Sequence, residues 1–271
     1  MLKIYALGSG SAGNSLGIAS DRESLIIDLG FSRRELLGRM ESLGFPTETL
    51  LGALLSHEHS DHSKGCRVFC NTQGIPLCAT ARTAEYLRRR GQLPGEVRLF
   101  EAGSSFTLGG FVIEAFPVQH DAEDPVGFII RRDGYKIGVA TDLGEVNNLA
   151  RMRLCDCDAL VLESNYDREM LRASDRELRL KRRIAGRHGH LGNLDACNAL
   201  ASLLTDRTRL LLLAHVSREC NTFELARSGC AEKLRELGRN RIVFDVIEQE
   251  LPLGVFTFSG GGLEVSRRRP Q

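Results

Sequence analysis

An α/β (α+β) fold is expected from three features of the chain. Short apolar runs that read as buried strands recur along its length, segments with helical periodicity and caps lie between them, and several runs stop at a His or an Asp. A chain of 271 residues can bury one large core or two intimately packed halves. Nothing in it reads as a linker, so a single domain over 1–271 is expected.

Residues 3–7 form the first strand and run into the loop Gly8-Ser9-Gly10-Ser11-Ala12-Gly13-Asn14-Ser15. Residues 16–19 and 25–27 are the next strands, the latter ending at Asp28-Leu29-Gly30. The Gly/Ser loop looks like a phosphate cradle, but no Gly-Lys-Ser/Thr closes it and no helical pattern follows. Ser32 opens a helix to residue 43, with Glu35 completing a capping box and Leu36, Leu37, Met40 and Leu43 on one face. Residues 52–56 read as a short buried strand leading into a loop, His57 to His62. Residues 79–90 form a second helix whose last turn, Arg88-Arg89-Arg90, suits the helix dipole; a solvated helix end is the plain reading of that triplet. Strand-like runs follow at 111–118 and 136–141, with Arg132-Asp133-Gly134-Tyr135 as a hairpin turn. Residues 158–162 are another strand, ending in Glu163-Ser164-Asn165-Tyr166-Asp167. Two helices bracket the segment before the strand 209–214. A late helix at 222–237 and a last strand at 255–258 complete the pattern, and no repeat or low-complexity segment appears.

Composition narrows the partners. The net charge of +1 sets up no global field for a polyanion, so contact with nucleic acid must come from a local patch. The absence of Trp weakens any case for base stacking on an aromatic platform. The apolar start is too short for a signal peptide and no run of eighteen apolar residues exists, so neither secretion nor a membrane span is expected. The eight scattered cysteines then read as reduced, mostly buried thiols in a cytoplasmic protein. Cys155-Asp156-Cys157 has no second pair at zinc-finger spacing.

His57-Glu58-His59-Ser60-Asp61-His62 packs three imidazoles and two carboxylates into six positions, a donor set that suits zinc, manganese or iron. This His-x-His-x-Asp-His spacing resembles the metallo-β-lactamase superfamily of hydrolases. His120, Asp142 and His215 follow apolar runs in the order that the resemblance requires. It implies a four-layer αββα metallo-β-lactamase sandwich with two mixed β-sheets, holding two divalent metal ions. By resemblance His57, His59 and His120 hold one ion, Asp61, His62 and His215 hold the other, and Asp142 bridges them. Two ions about 3.5–4 Å apart would activate a hydroxide between them, oriented by Asp61. No Cys falls in the ligand set, which argues against a β-lactamase and keeps manganese beside zinc. Asp28 is expected to orient a ligand His, the alternative being an ordinary turn residue.

The ions do not choose the substrate, because superfamily members cleave esters, thioesters, lactams, lactones and phosphodiesters. Residues 175–187 carry six basic and two acidic side chains, and Lys181, Arg182 and Arg183 are the expected phosphate contacts. The blocks Gly8 to Asn14, Ser56 to His62, Ala140 to Gly144, Glu163 to Asp167, Lys181 to Ile184, Gly189-His190 and Leu213 to Ser217 together resemble the YycJ/WalJ family, over residues 3–245. Members are regarded as metal-dependent 5′→3′ exonucleases on DNA, linked to mismatch repair or cell-wall regulation. Tyr166 departs from a His found in many members. By comparison with tRNA 3′-processing nucleases, His190 is the expected general acid, and His188 is expected to be exposed. A thioester or lactone hydrolase needs the same ions but no arginine cluster. A metal-stabilised regulatory subunit without turnover is the remaining alternative, and the complete ligand set speaks against it. The 73 positions from Asp142 to His215 leave no room for the large insert of RNase J-type enzymes. No glycine-rich arm for tRNA is present either, so DNA is expected ahead of RNA.

Overall fold

The computed structural model describes residues 1–267. In its first half the chain forms β1 (Leu2–Gly8), β2 (Ser15–Ser20), β3 (Ser24–Ile27), α1 (Arg33–Leu43), β4 (Leu50–Leu54), α2 (Ser60–Ser63), α3 (Cys66–Gln73), β5 (Leu77–Thr80), α4 (Ala81–Arg89) and β6 (Val97–Phe100). It continues through β7 (Ser105–Leu108), β8 (Phe111–Pro117), β9 (Val126–Arg132), β10 (Tyr135–Ala140), α5 (Asn148–Leu154), β11 (Ala159–Glu163), α6 (Arg168–Ala173), α7 (Leu178–Ile184) and α8 (Asn193–Leu203). β12 (Leu210–Ala214), α9 (Phe223–Glu236), β13 (Val243–Val246), β14 (Gly254–Ser259) and β15 (Gly262–Arg267) complete it.

Two sheets result. One runs β15-β14-β1-β2-β3-β4-β5-β6, the other β13-β12-β11-β10-β9-β8-β7. Both are mixed: β3 to β6 and β10 to β13 pair in parallel, while the remaining neighbours are antiparallel. The strands alternate side chains between two apolar layers. In β1, Leu2, Ile4 and Ala6 enter the core between the sheets, whereas Tyr5 and Leu7 meet α1 and α3 outside. In β12, Leu210, Leu212 and Ala214 face inward, and Leu211 and Leu213 pack against α8 and α9. With both faces buried, such strands read as continuous apolar runs rather than alternating ones. The three layers of core between four layers of structure give the αββα sandwich.

Local expectations meet several corrections. Ser32 caps α1 by accepting from the Glu35 N–H, but the Glu35 carboxylate does not return to complete the capping box. It accepts from the Arg39 guanidinium at 2.8 Å, and Arg39 is buried and also donates to the Leu7 and Gln249 carbonyls. α4 starts two residues later than expected, with Thr80 as its cap. Three helices, not two, fill the stretch between β11 and β12. The β9–β10 hairpin turns through Asp133 and Gly134, both at positive φ, as its sequence requires. β15 lies beyond the last strand expected; its alternating run, Leu263-Glu264-Val265-Ser266, is short and mostly exposed.

Candidate metal centre and active site

The strand ends gather on one edge of the sandwich. His57 follows β4, His120 follows β8, Asp142 follows β10 and His215 follows β12, while Glu163 is the last residue of β11. The His57–His62 segment is not wholly a loop. His59 stands at the start of α2, and that single helical turn carries Asp61 and His62. The backbone around the turn is clamped, with Asn14 N–H donating to Asp61 O at 2.8 Å and Leu29 N–H to His62 O at 2.7 Å. The clamp explains Gly30, where a Cβ would stand 1.7 Å from Asp61 O.

The expected ligand atoms converge. Among the described residues, metal-competent groups form from His57, His59 and His120, from His57, His62 and Asp142, and from Asp61, His62 and His215. Asp142 is central: its Oδ2 lies 3.1 Å from His62 Nε2 and its Oδ1 3.5 Å from His215 Nε2 and 3.7 Å from His120 Nε2. Asp61 Oδ2 lies 3.1 Å from His215 Nε2. His59 Nδ1 and His120 Nε2 are 3.3 Å apart.

The imidazoles are held from behind. His62 Nδ1 donates to Asp28 Oδ2 at 2.7 Å, and Asp28 Oδ1 accepts from the Ser56 N–H at 2.8 Å. His120 Nδ1 donates to Gly189 O at 2.9 Å. His57 Nδ1 meets Ser56 Oγ at 3.0 Å. His215 Nδ1 lies 2.9 Å from the Asn165 side-chain amide. Each of these rings therefore turns Nε2 toward the centre, as metal-binding histidines do when their other nitrogen is occupied. His57 Nε2 is buried with no hydrogen-bond partner in the protein, although such an orphan is costly. The donor set fits divalent cations, and the fold implies them.

The charges agree. Burial pushes the Asp142 carboxyl up, but the surrounding imidazoles, His215 and His62 first, outweigh it and hold it well below the usual range. Burial draws His62 down, yet Asp142, Asp28 and Asp61 prevail and raise it well above 6.5. Burial leaves His57 well below that value. The carboxylates thus demand positive charge in a place that excludes water, and cations supply it without protonating the ligands.

The active-site residue that sequence reasoning left without a role is Glu163, which is fully buried. Its Oε2 accepts from the Leu143 and Leu191 N–H groups, each at 3.0 Å, and its Oε1 from His190 Nδ1 at 2.7 Å. A carboxylate so engaged orients His190 and leaves His190 Nε2 for the pocket. The available signal was an apolar strand ending in an acid, the same signal that marks Asp142. Ser9 and Asn14 of the Gly/Ser loop also touch the site: Ser9 Oγ accepts from the His215 N–H at 2.8 Å, and Asn14 Nδ2 lies 3.0 Å from His62 Nε2. His188 is exposed.

The three basic residues of α7 expected to contact phosphate, Lys181, Arg182 and Arg183, do not line one cavity. Arg183 faces the metal pocket, a cavity of about 240 Å³, and pairs with Asp121 at its rim. Lys181 and Arg182 line a separate cleft of about 910 Å³ behind the helix, which shares no lining residue with the metal pocket. Lys181 Nζ is also engaged by the Arg172 and Ser174 carbonyls, at 2.7 and 2.6 Å. Helical periodicity separates neighbours that the linear run had grouped.

The fold and this edge of converging His and Asp side chains define a metallo-β-lactamase-type protein. A family profile described as beta-lactamase superfamily domain matches residues 25–216, and the chain belongs to that superfamily. Within it the chain is YycJ/WalJ-like. It is 34% identical over 239 residues to the exodeoxyribonuclease YycJ of Bacillus anthracis, covering 88% of this chain and 90% of that one. It is 32% identical to the exodeoxyribonuclease WalJ of Streptococcus pneumoniae, covering 86% and 88% of the two chains. The fold is shared with the crystal structure of YhfI, a metallo-β-lactamase fold protein of Bacillus subtilis, at a TM-score of 0.68 and 17% identity over 92% of this chain and 97% of that one. Among the described residues no helix is long and apolar enough to cross a membrane.

Proposed function

We propose that the protein is a dinuclear metal-dependent phosphodiesterase, acting as a 5′→3′ DNA exonuclease. The observation that carries this reading is the convergence of seven candidate ligand side chains, Asp142 among them, around a buried His57 Nε2 that has no partner in the protein. The near full-length likeness to two exodeoxyribonucleases supports DNA among the substrates that such a centre can serve.

His57, His59 and His120 would hold one ion, Asp61, His62 and His215 the other, and Asp142 both. Zinc and manganese suit these donors, with iron a third candidate. When bound, such ions supply a nucleophile at neutral pH and neutralise charge on the phosphate. The chain's own residues do the rest. Asp61 is partly exposed and lines the pocket, placing a carboxylate where it orients an attacking water. Burial raises its carboxyl, but His62 and His215 hold it below the usual range, so it stays an acceptor. His190 faces the same pocket. Burial pulls it down, but Glu163 outweighs burial and raises it, so His190 carries a proton at Nε2 for the leaving oxygen. Arg183, charged and at the rim, contacts the phosphate.

The test is direct. Purified protein is loaded with manganese or zinc and given 5′- and 3′-labelled DNA, matched RNA and a thioester. Mononucleotides released from the DNA 5′ end are expected. Faster turnover of RNA moves the substrate to RNA, and turnover of the thioester alone overturns the phosphodiesterase reading.

A further inference from the structure

Beside the metal pocket lies a second cavity of about 400 Å³. His59, Asp61 and Arg183 line both cavities, so the two adjoin. The far wall is the end of α4, with Tyr86, Arg90 and Gln92. This wall contains the arginine triplet, and the structure separates its members. Arg88 and Arg89 both pair with Glu85, Arg89 at 3.4 Å. Arg90 has no carboxylate partner among the described residues. Its guanidinium lies over the Tyr86 ring, 5.0 Å from the centroid, and Tyr86 is itself packed on the core beneath α4. A cation–π contact of this kind holds a flexible side chain in place while leaving its N–H groups free. Glu58 lines the inner wall but is turned into the fold, its Oε1 accepting from the Glu123 N–H at 2.8 Å. Two arginines, Arg90 after α4 and Arg183 on α7, thus line one cavity, and Arg183 is also paired with Asp121.

We propose that this cavity is a nucleotide subsite: it holds the phosphodiester unit next to the one being cleaved, with its phosphate between Arg90 and Arg183. The inference rests on the phosphodiesterase reading above. A polynucleotide with one phosphate at the ions must lay its neighbouring unit in an adjoining space. The larger cleft behind α7 does not adjoin, because it shares no wall with the metal pocket. The strand therefore runs past α4, and Lys181 and Arg182 lie off its path. Phosphate contacts position a strand without reading its bases, so the subsite adds affinity with no sequence preference.

The test compares Arg90→Ala, Arg90→Lys and Arg89→Ala on a single-stranded oligonucleotide and on bis(p-nitrophenyl) phosphate, which carries no neighbouring phosphate. Arg90→Ala should raise KM for the oligonucleotide about tenfold, the size of a missing charge-assisted hydrogen bond, with a smaller effect on kcat. The salt dependence of oligonucleotide binding should become shallower by about 0.7, because one phosphate is no longer neutralised. Arg90→Lys should recover part of the loss, and the chromogenic diester should be affected far less. Arg89→Ala removes the same charge from the same helix end and should behave like the parent. Equal effects of Arg89→Ala and Arg90→Ala reduce the arginines to a general field and overturn the subsite. So does an equal loss on both substrates, which would place Arg90 at the reacting phosphate or in the fold. In either case the phosphodiesterase reading stands. A parent protein that cleaves neither substrate overturns both readings.

Discussion

Replacing Glu163 by Gln tests the proton donor without removing any side-chain bulk from the site. The carboxylate is buried and shared among three tasks: Oε2 takes two backbone N–H groups at 3.0 Å, and Oε1 takes His190 Nδ1 at 2.7 Å and lies 3.3 Å from His215 Nδ1. Glu163→Ala would strand both backbone donors at a cost of about 1–3 kcal/mol each and blur the result. Gln keeps the shape, and its single oxygen can stay with the backbone pair. Its NH₂ then faces His190 Nδ1, which must become an acceptor. The imidazolium carries N–H on both nitrogens and loses a charge-assisted hydrogen bond worth about 1.5–3 kcal/mol. Turnover of DNA should fall by about 10–10²-fold from this term alone. Removal of the imidazole in His190→Ala should reach about 10²–10⁴-fold. The assay is kcat on DNA beside kcat on bis(p-nitrophenyl) phosphate, with metal content measured on the same samples. p-Nitrophenolate leaves without a proton, so both variants should lose much less on that substrate, and bound metal should match the parent. Equal losses on the two substrates would refute the acid role of His190. Loss of metal in Glu163→Gln would show that Glu163 supports the ions, through His215 Nδ1 at 3.3 Å or as a ligand itself, and would overturn its assignment to His190 alone.

Three further variants test the rest of the centre. Asp142→Ala should lose metal most broadly, because Asp142 reaches ligand atoms of both sets; an unchanged metal content removes its bridging role. Asp61→Asn should abolish most turnover while the thermal midpoint barely moves, since the amide keeps the shape and loses the charge; an active Asp61→Asn enzyme shows that Asp61 does not orient the water. Asp28→Asn tolerates the positive φ of 58° at that position but cannot match both the Ser56 N–H and the His62 Nδ1–H as well as a carboxylate does. Metal affinity should fall by about 10–100-fold in a chelator titration, and an unchanged affinity makes Asp28 a plain turn residue.

The proposed ligand positions are legible because two independent signals coincide. A buried strand shows as an apolar run, and a polar ligand at its end interrupts the run, so His120, Asp142 and His215 are marked by their neighbours as well as by their identity. Glu163 carried the same mark at the end of β11, but an acid after an apolar strand is ambiguous until its partners are known. The basic run of α7 misled in the opposite direction. Adjacent letters suggested one phosphate clamp, whereas a helix turns about 100° per residue and sends Arg183 and Arg182 to different cavities. The triplet ending α4 reads as a solvated helix end, and all three arginines are exposed, but only Arg90 also lines the cavity beside the metal pocket.

Sequence alone determined the class of fold, the order of the strands that bear ligands and the chemistry of the donor set, because local periodicity and side-chain type are properties of the chain. Only the tertiary structure decided which imidazole nitrogen faces the centre, that Glu163 stands behind His190, and which arginines share a space with Asp61. Those facts depend on contacts between residues such as His62 and Asp28, 34 positions apart, and His215 and Ser9, 206 apart. Such pairs leave no mark on local sequence, because the strand register and sheet packing that bring them together are set by burial of the whole core.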